Sequence, residues 1–127
     1  MDASVDLYGG GGLMSTARDL ARFFRALLRG EIFRRAETLE TMLMTMDGVP
    51  LTERAGWPED PSTQAMYLFR RELAGETWWG HDGYWGTSAF TCSARDVTIV
   101  TGHQRSNMPD DFDRLEILEA AMAEVDR

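Results

Sequence analysis

The pattern of apolar and polar positions divides the chain into a helical front, a Pro- and Gly-rich gap, strand-like segments and a helical tail. Leu20, Phe23, Phe24, Leu27 and Leu28 recur at the spacing that gathers side chains on one face of an α-helix. Thr16-Ala17-Arg18-Asp19 just before them reads as a capping box: the Thr16 hydroxyl and the Asp19 carboxylate satisfy N–H groups left open by the first turn. Gly30 is the expected stop, because glycine accepts the left-handed conformation that ends many helices. Arg18, Arg22, Arg25 and Arg29 fall on the opposite face. A second helix over about 36–46 would bury Leu39, Met42, Leu43 and Met46. Residues 47–64 hold Gly48, Pro50, Gly56, Pro58 and Pro61 and read as a long loop.

Strand-like alternation follows. Residues 67–73 alternate around Arg70 and Arg71, and residues 76–80 lead into His81-Asp82-Gly83. Residues 87–93 and 97–102 share the turn Ser93-Ala94-Arg95-Asp96, rich in residues that bond their own backbone. The closing helix starts at about Pro109, where proline suits the first helical position, and Asp110, Asp111 and Asp113 complement the positive end of its dipole. Its apolar stripe is Phe112, Leu115, Leu118, Met122 and Val125. These elements predict an α+β fold with a small antiparallel sheet of three to four strands covered by helices. The order is α-α-loop-β-β-β-α, in a single domain over residues 1–127.

Composition narrows the function. The net charge of −8 argues against a general nucleic-acid binder, which needs a positive footprint to displace counterions. No apolar run approaches the roughly 18 residues of a membrane-spanning helix. Residues 1–6 are acidic and carry no apolar core of a secretory signal, so a soluble, cytoplasmic protein is expected. All 13 basic residues are Arg, which excludes any lysine base or lysine Schiff base from this chain acting alone. Cys92 is the single cysteine, so no internal disulfide forms, and a buried structural thiol is expected.

The densest chemistry lies in Trp78-Trp79-Gly80-His81-Asp82-Gly83-Tyr84-Trp85-Gly86. Histidine is the side chain most easily tuned near neutral pH, and a neighbouring glycine lets a ligand or another backbone approach closely. The bland alternative is a hydrogen-bonded histidine beside a turn glycine. A metal site is not expected, since His103 is the only other imidazole, and no cofactor is expected. The four glycines at 9–12 meet neither dinucleotide nor P-loop spacing and read as a hinge into the first helix. Residues 18–35 hold six Arg against Asp19 and Glu31. That stripe could dock an acidic partner or a phosphate-rich surface, but reads first as a solvated face with partners one turn away, or, more narrowly, as a contact for the acidic C-terminal helix within one chain or between two. Trp57, Trp78, Trp79 and Trp85 could wall a ligand or fill a core; core packing is expected for Trp79.

Three stretches carry a family resemblance. Gly10-Gly11-Gly12-Leu13-Met14-Ser15-Thr16-Ala17-Arg18-Asp19-Leu20-Ala21-Arg22-Phe23 is similar to the GGLxSTAxDLARF helix start of the serine β-lactamase-like hydrolases. That family includes class C β-lactamases, penicillin-binding-protein-like D-alanyl-D-alanine carboxypeptidases and β-lactamase-like esterases. Thr38-Leu39-Glu40-Thr41-Met42 resembles the short helix that follows, and Trp79-Gly80-His81-Asp82-Gly83 resembles the third catalytic motif, Lys or His, any residue, then Gly. The stretches keep the family's order and spacing over about residues 9–105 and resemble the C-terminal part of its fold.

The resemblance implies half a site. The family's nucleophile is the Ser of Ser-x-x-Lys, and Tyr-x-Asn supplies a further acid/base. Both lie upstream of the matching region. This chain has no Lys, and Tyr8, Tyr67 and Tyr84 are followed two residues later by Gly10, Phe69 and Gly86. The first two family strands and the helical domain are also missing. By resemblance His81 lines the cleft, Gly83 leaves room for substrate, the Tyr84 N–H forms half of an oxyanion hole, and Trp85 faces the cleft. Asp82 stands where the family usually has Thr or Ser, and would repel a substrate carboxylate unless it points away. That tilts the expected ligand towards a small ester or amide without a free carboxylate. Two functions follow: the C-terminal portion of a serine hydrolase, inactive without its N-terminal half, or a non-catalytic remnant that binds or self-associates as a homo-oligomer.

Overall fold

The computed structural model describes residues 13–44, 64–83, 86–103 and 114–125. The glycines at 9–12, Met46, Trp57, the expected loop up to residue 63, Tyr84, Trp85 and residues 109–113 lie outside them, as do the side chains of Leu115 and Val125.

Helix α1 (Ala17–Leu28) begins as its sequence demands. Thr16 is extended, and its hydroxyl accepts the Asp19 N–H at 3.1 Å. The hydroxyl proton then goes to the Asp19 carboxylate at 2.9 Å, which corrects half of the expected box: the carboxylate takes the Thr16 hydroxyl instead of a backbone N–H. The other end is a Schellman turn: Gly30 at φ +74 gives its N–H to Leu27 O, and the Glu31 N–H reaches Ala26 O, each at 3.0 Å. Phe24 and Leu27 are buried and Leu20 and Leu28 half-buried, whereas Phe23 is 50% exposed. This corrects the expected stripe: five apolar residues span a wider arc than the sheet covers, and Phe23 instead packs edge-on against Phe24. Helix α2 (Ala36–Met42) is shorter than expected. Arg35 supplies no side-chain cap, and the Thr41 hydroxyl bonds back to Glu37 O at 2.8 Å, a contact that weakens helices.

Among the described residues five antiparallel strands follow in sequence order: β1 (Gln64–Ala65), β2 (Leu68–Leu73), β3 (Glu76–Asp82), β4 (Thr87–Cys92) and β5 (Val97–Gly102). The α+β class stands, with five strands instead of three to four. The added strand is β1, too short to show alternation, and it corrects the expected loop at Gln64. Tyr67, the expected start of a strand, sits in the β1–β2 turn at φ +56. Ala74 and Gly75 both take positive φ in the two-residue turn between β2 and β3, the backbone that matches strand twist.

Alternation along the strands sends two sets of side chains to opposite faces. On one face Leu68 and Ala89 meet Phe24 and Leu27 of α1, with Trp79, Met42 and Leu43 against them. Trp79 therefore packs in a core, as expected. On the other face Leu73, Trp78, Phe90, Cys92 and Ile99 meet Leu118 and Met122 of α3 (Arg114–Val125). Trp78, Phe90 and Cys92 are fully buried, and the Cys92 thiol is free, as expected. Half of the arginine stripe is tied down: Arg25 and Arg29 both grip Asp96 in the β4–β5 turn, with Arg29 Nη2 2.7 Å from Asp96 Oδ1. Neither a purely solvated face nor the C-terminal helix describes them. Among the described residues no helix is long and apolar enough to cross a membrane.

Candidate functional site

Strand β3 runs through Trp78 and Trp79 and ends on His81-Asp82, where the chain leaves the sheet at Gly83. Backbone bonds close the hairpin tightly. The Gly83 N–H reaches Thr87 O at 2.6 Å, the Gly86 N–H reaches Gly83 O at 3.1 Å, and the His103 N–H reaches Gly86 O at 3.0 Å. Tyr84 and Trp85 lie between these glycines, outside the described residues, so their place at the site remains an expectation.

The glycines are required by crowding. A Cβ at Gly83 would collide with Thr87 Oγ1, and one at Gly86 would sit 2.9 Å from His103 Cδ2. At Gly80 it would meet Phe90 Cα and Cγ at 2.7 Å. Gly83 therefore has a reason inside the hairpin, besides the room for substrate that the resemblance assigns it.

His81 is exposed, and its imidazole stacks on the Phe69 ring of β2 at 5.0 Å between centroids and 24° between planes. Asp82 does not stand bare: its Oδ2 accepts from Arg71 Nη2 at 3.1 Å, and its side chain is only 12% exposed. The Arg71 guanidinium lies 5.8 Å from the centroids of both Phe69 and Phe90, within cation–π range. Its charge answers that of Asp82, which removes the simple repulsion expected from an isolated carboxylate. The arrangement offers an accessible imidazole beside a backbone turn, with a paired acid behind it. Such an imidazole can exchange a proton or hydrogen-bond a ligand. Among the described residues no group of three His, Cys, Asp or Glu could hold a metal ion.

Phe69, Arg71 and Thr87 were not singled out from the sequence as part of this neighbourhood. Their signal is cross-strand: Phe69 pairs with Gly80, Arg71 with Trp78, and Asp82 with Ser88, a register no local pattern reveals.

A Beta-lactamase family model matches residues 1–122, which takes in α1, α2, the whole sheet and most of α3. No curated protein and no solved structure matches the chain. With a match over nearly its full length, the chain belongs to the beta-lactamase family, in line with its resemblance to the serine β-lactamase-like hydrolases.

Proposed function

We propose that this chain is the C-terminal portion of a serine hydrolase and forms the His-x-Gly wall of its cleft. The nucleophile would come from polypeptide that carries Ser-x-x-Lys and Tyr-x-Asn. The observation that carries this reading is an exposed His81 at the end of β3, in a chain that contains no Lys. In the joined site the serine oxygen attacks an ester or amide carbonyl, and the developing oxyanion takes a hydrogen bond from the Tyr84 N–H. One such donor contributes about 3–4 kcal/mol when the site is preorganised. His81 would bond the substrate or its leaving group. Small esters and amides without a free carboxylate remain the favoured class, because Asp82 lacks the hydroxyl that would hold a carboxylate. Its pairing with Arg71 makes this a missing attraction more than a repulsion.

The test is hydrolysis of nitrocefin and p-nitrophenyl esters by the chain alone and after joining to a segment bearing the two missing motifs. Alone, it should not exceed a His81→Ala control; joined, it should turn over, and His81→Ala should then slow it. A His81-dependent rate from the chain alone overturns the proposal.

A second reading, self-association without catalysis, is favoured by β5. Among the described residues Val97-Thr98-Ile99-Val100-Thr101 is a β-branched edge strand without the Lys, Pro or inward charge that usually guards an edge. Light scattering decides it: a concentration-dependent dimer supports it, and a stable monomer at micromolar concentration removes it.

A further inference from the structure

We propose that Arg71 is a positioning residue for the His81-Asp82-Gly83 motif: it pins Asp82 from the neighbouring strand and braces the ring on which His81 lies. The role rests on the reading of His81 as a cleft residue, but its geometry stands on β2, β3 and β4 alone.

The register sets Phe69 opposite Gly80 and Gly80 opposite Phe90, so the middle of this three-strand row carries no side chain. A Cβ at Gly80 would press on Phe90, and the Arg71 guanidinium lies over both flanking rings instead. A planar, delocalised cation suits this position, because it stacks on aromatic faces while its N–H groups point outward in a fixed fork. One of those groups bonds Asp82. The motif is thus held at two adjacent residues. Asp82 is fixed through an ion pair that is mostly withdrawn from solvent, with side-chain exposures of 32% and 12%. His81 is fixed through its stack on Phe69, the same ring that Arg71 covers. What the motif presents outward is an imidazole of defined tilt, with the acid beside it already committed.

Two imidazoles make the test simple, since His81 and His103 are the only histidines. Proton–carbon NMR of the full 127-residue chain reads both rings. Arg71→Gln and Phe69→Leu should each take the His81 ring signals most of the way to those of an unstacked, exposed histidine. Arg71→Gln should also remove the ring-to-ring nuclear Overhauser contact between His81 and Phe69, with the His103 signals unmoved. If Arg71→Gln fails to fold, Arg71→Gln combined with Asp82→Asn leaves no unpaired charge and carries the same reading. The role is overturned if the His81 signals stay in place in a folded variant, or if both histidines move together as general loosening would require. The readout needs neither substrate nor a second polypeptide, so its failure is separable from failure of the hydrolase proposal.

Discussion

Replacing Gly83 by alanine separates two reasons for that glycine, room for a substrate and room for the protein itself. The backbone there is not in the left-handed region, so alanine brings no conformational strain, only volume. Its Cβ would collide with Thr87 Oγ1, while Thr87 Cβ and O would lie 3.5 Å away in ordinary contact. Relief comes in one of two ways. Thr87 can leave its rotamer, at roughly 0.5–1.5 kcal/mol. Alternatively the strand ends part and strain the 2.6 Å bond from Gly83 N–H to Thr87 O, a bond of a class worth about 0.5–1.5 kcal/mol. Gly83→Ala should therefore destabilise by about 0.5–1.5 kcal/mol, lowering Tm by roughly 2–7 °C in a domain of this size. Thr87→Ala alone trims an exposed side chain and should stay within about 0.5 kcal/mol of the parent. Combined, the two remove the collision and should recover at least half of the loss, a coupling of roughly 0.5 kcal/mol. Urea and thermal unfolding of the four proteins measure the cycle. A Gly83→Ala protein as stable as the parent, or a double variant that merely sums the singles, refutes the packing account and leaves substrate clearance as the reason for the glycine.

Three further outcomes follow from the same structure. The Asp96 carboxyl is held below its usual range, first by hydrogen bonding from Arg25 and, against the opposing cost of desolvation, by Arg29 as well. Its stabilising contribution is therefore full above the ordinary carboxylate range of about 3.9 and is lost as pH falls through the lower folded value. Asp96→Asn keeps a side chain that tolerates φ +55, so the Tm gap between parent and variant should be open at pH 6 and close progressively below about pH 4; a gap constant with pH contradicts this. Leu118→Ala, at a residue 1% exposed beneath Trp78 and Phe90, should cost about 2–5 kcal/mol by equilibrium unfolding. Ala74 holds φ +51 in its turn, so Ala74→Asn should stabilise by about 0.5–1 kcal/mol, and a lower Tm would count against the turn geometry.

What could be read from the sequence was whatever is written locally. Thr16, Asp19 and Gly30 act within one turn of the helix ends they define, and β5 spells its own alternation, so both elements fell where the pattern put them. Phe23 was misplaced because periodicity says which residues share an arc, not how much of that arc a sheet will cover. β1 was missed because two residues have no period, and its pairing with β2 is a tertiary fact. Arg25 and Asp96 are 71 residues apart, and nothing near either one names the other. The site divides along the same line. His81-Asp82-Gly83 is a local pattern that can be picked out by eye, and the absence of Lys is read from composition alone. The state of Asp82 was not legible, because it depends on Arg71, eleven residues away across a hairpin whose register had to be known. A carboxylate that looks like an obstacle to anionic substrates in the sequence is, in the folded chain, half of an ion pair. The charge that this motif carries is therefore set by the neighbouring strand as much as by the motif. Any relative that keeps His-Asp-Gly but loses the arginine at this register should present a different charge at the same strand end.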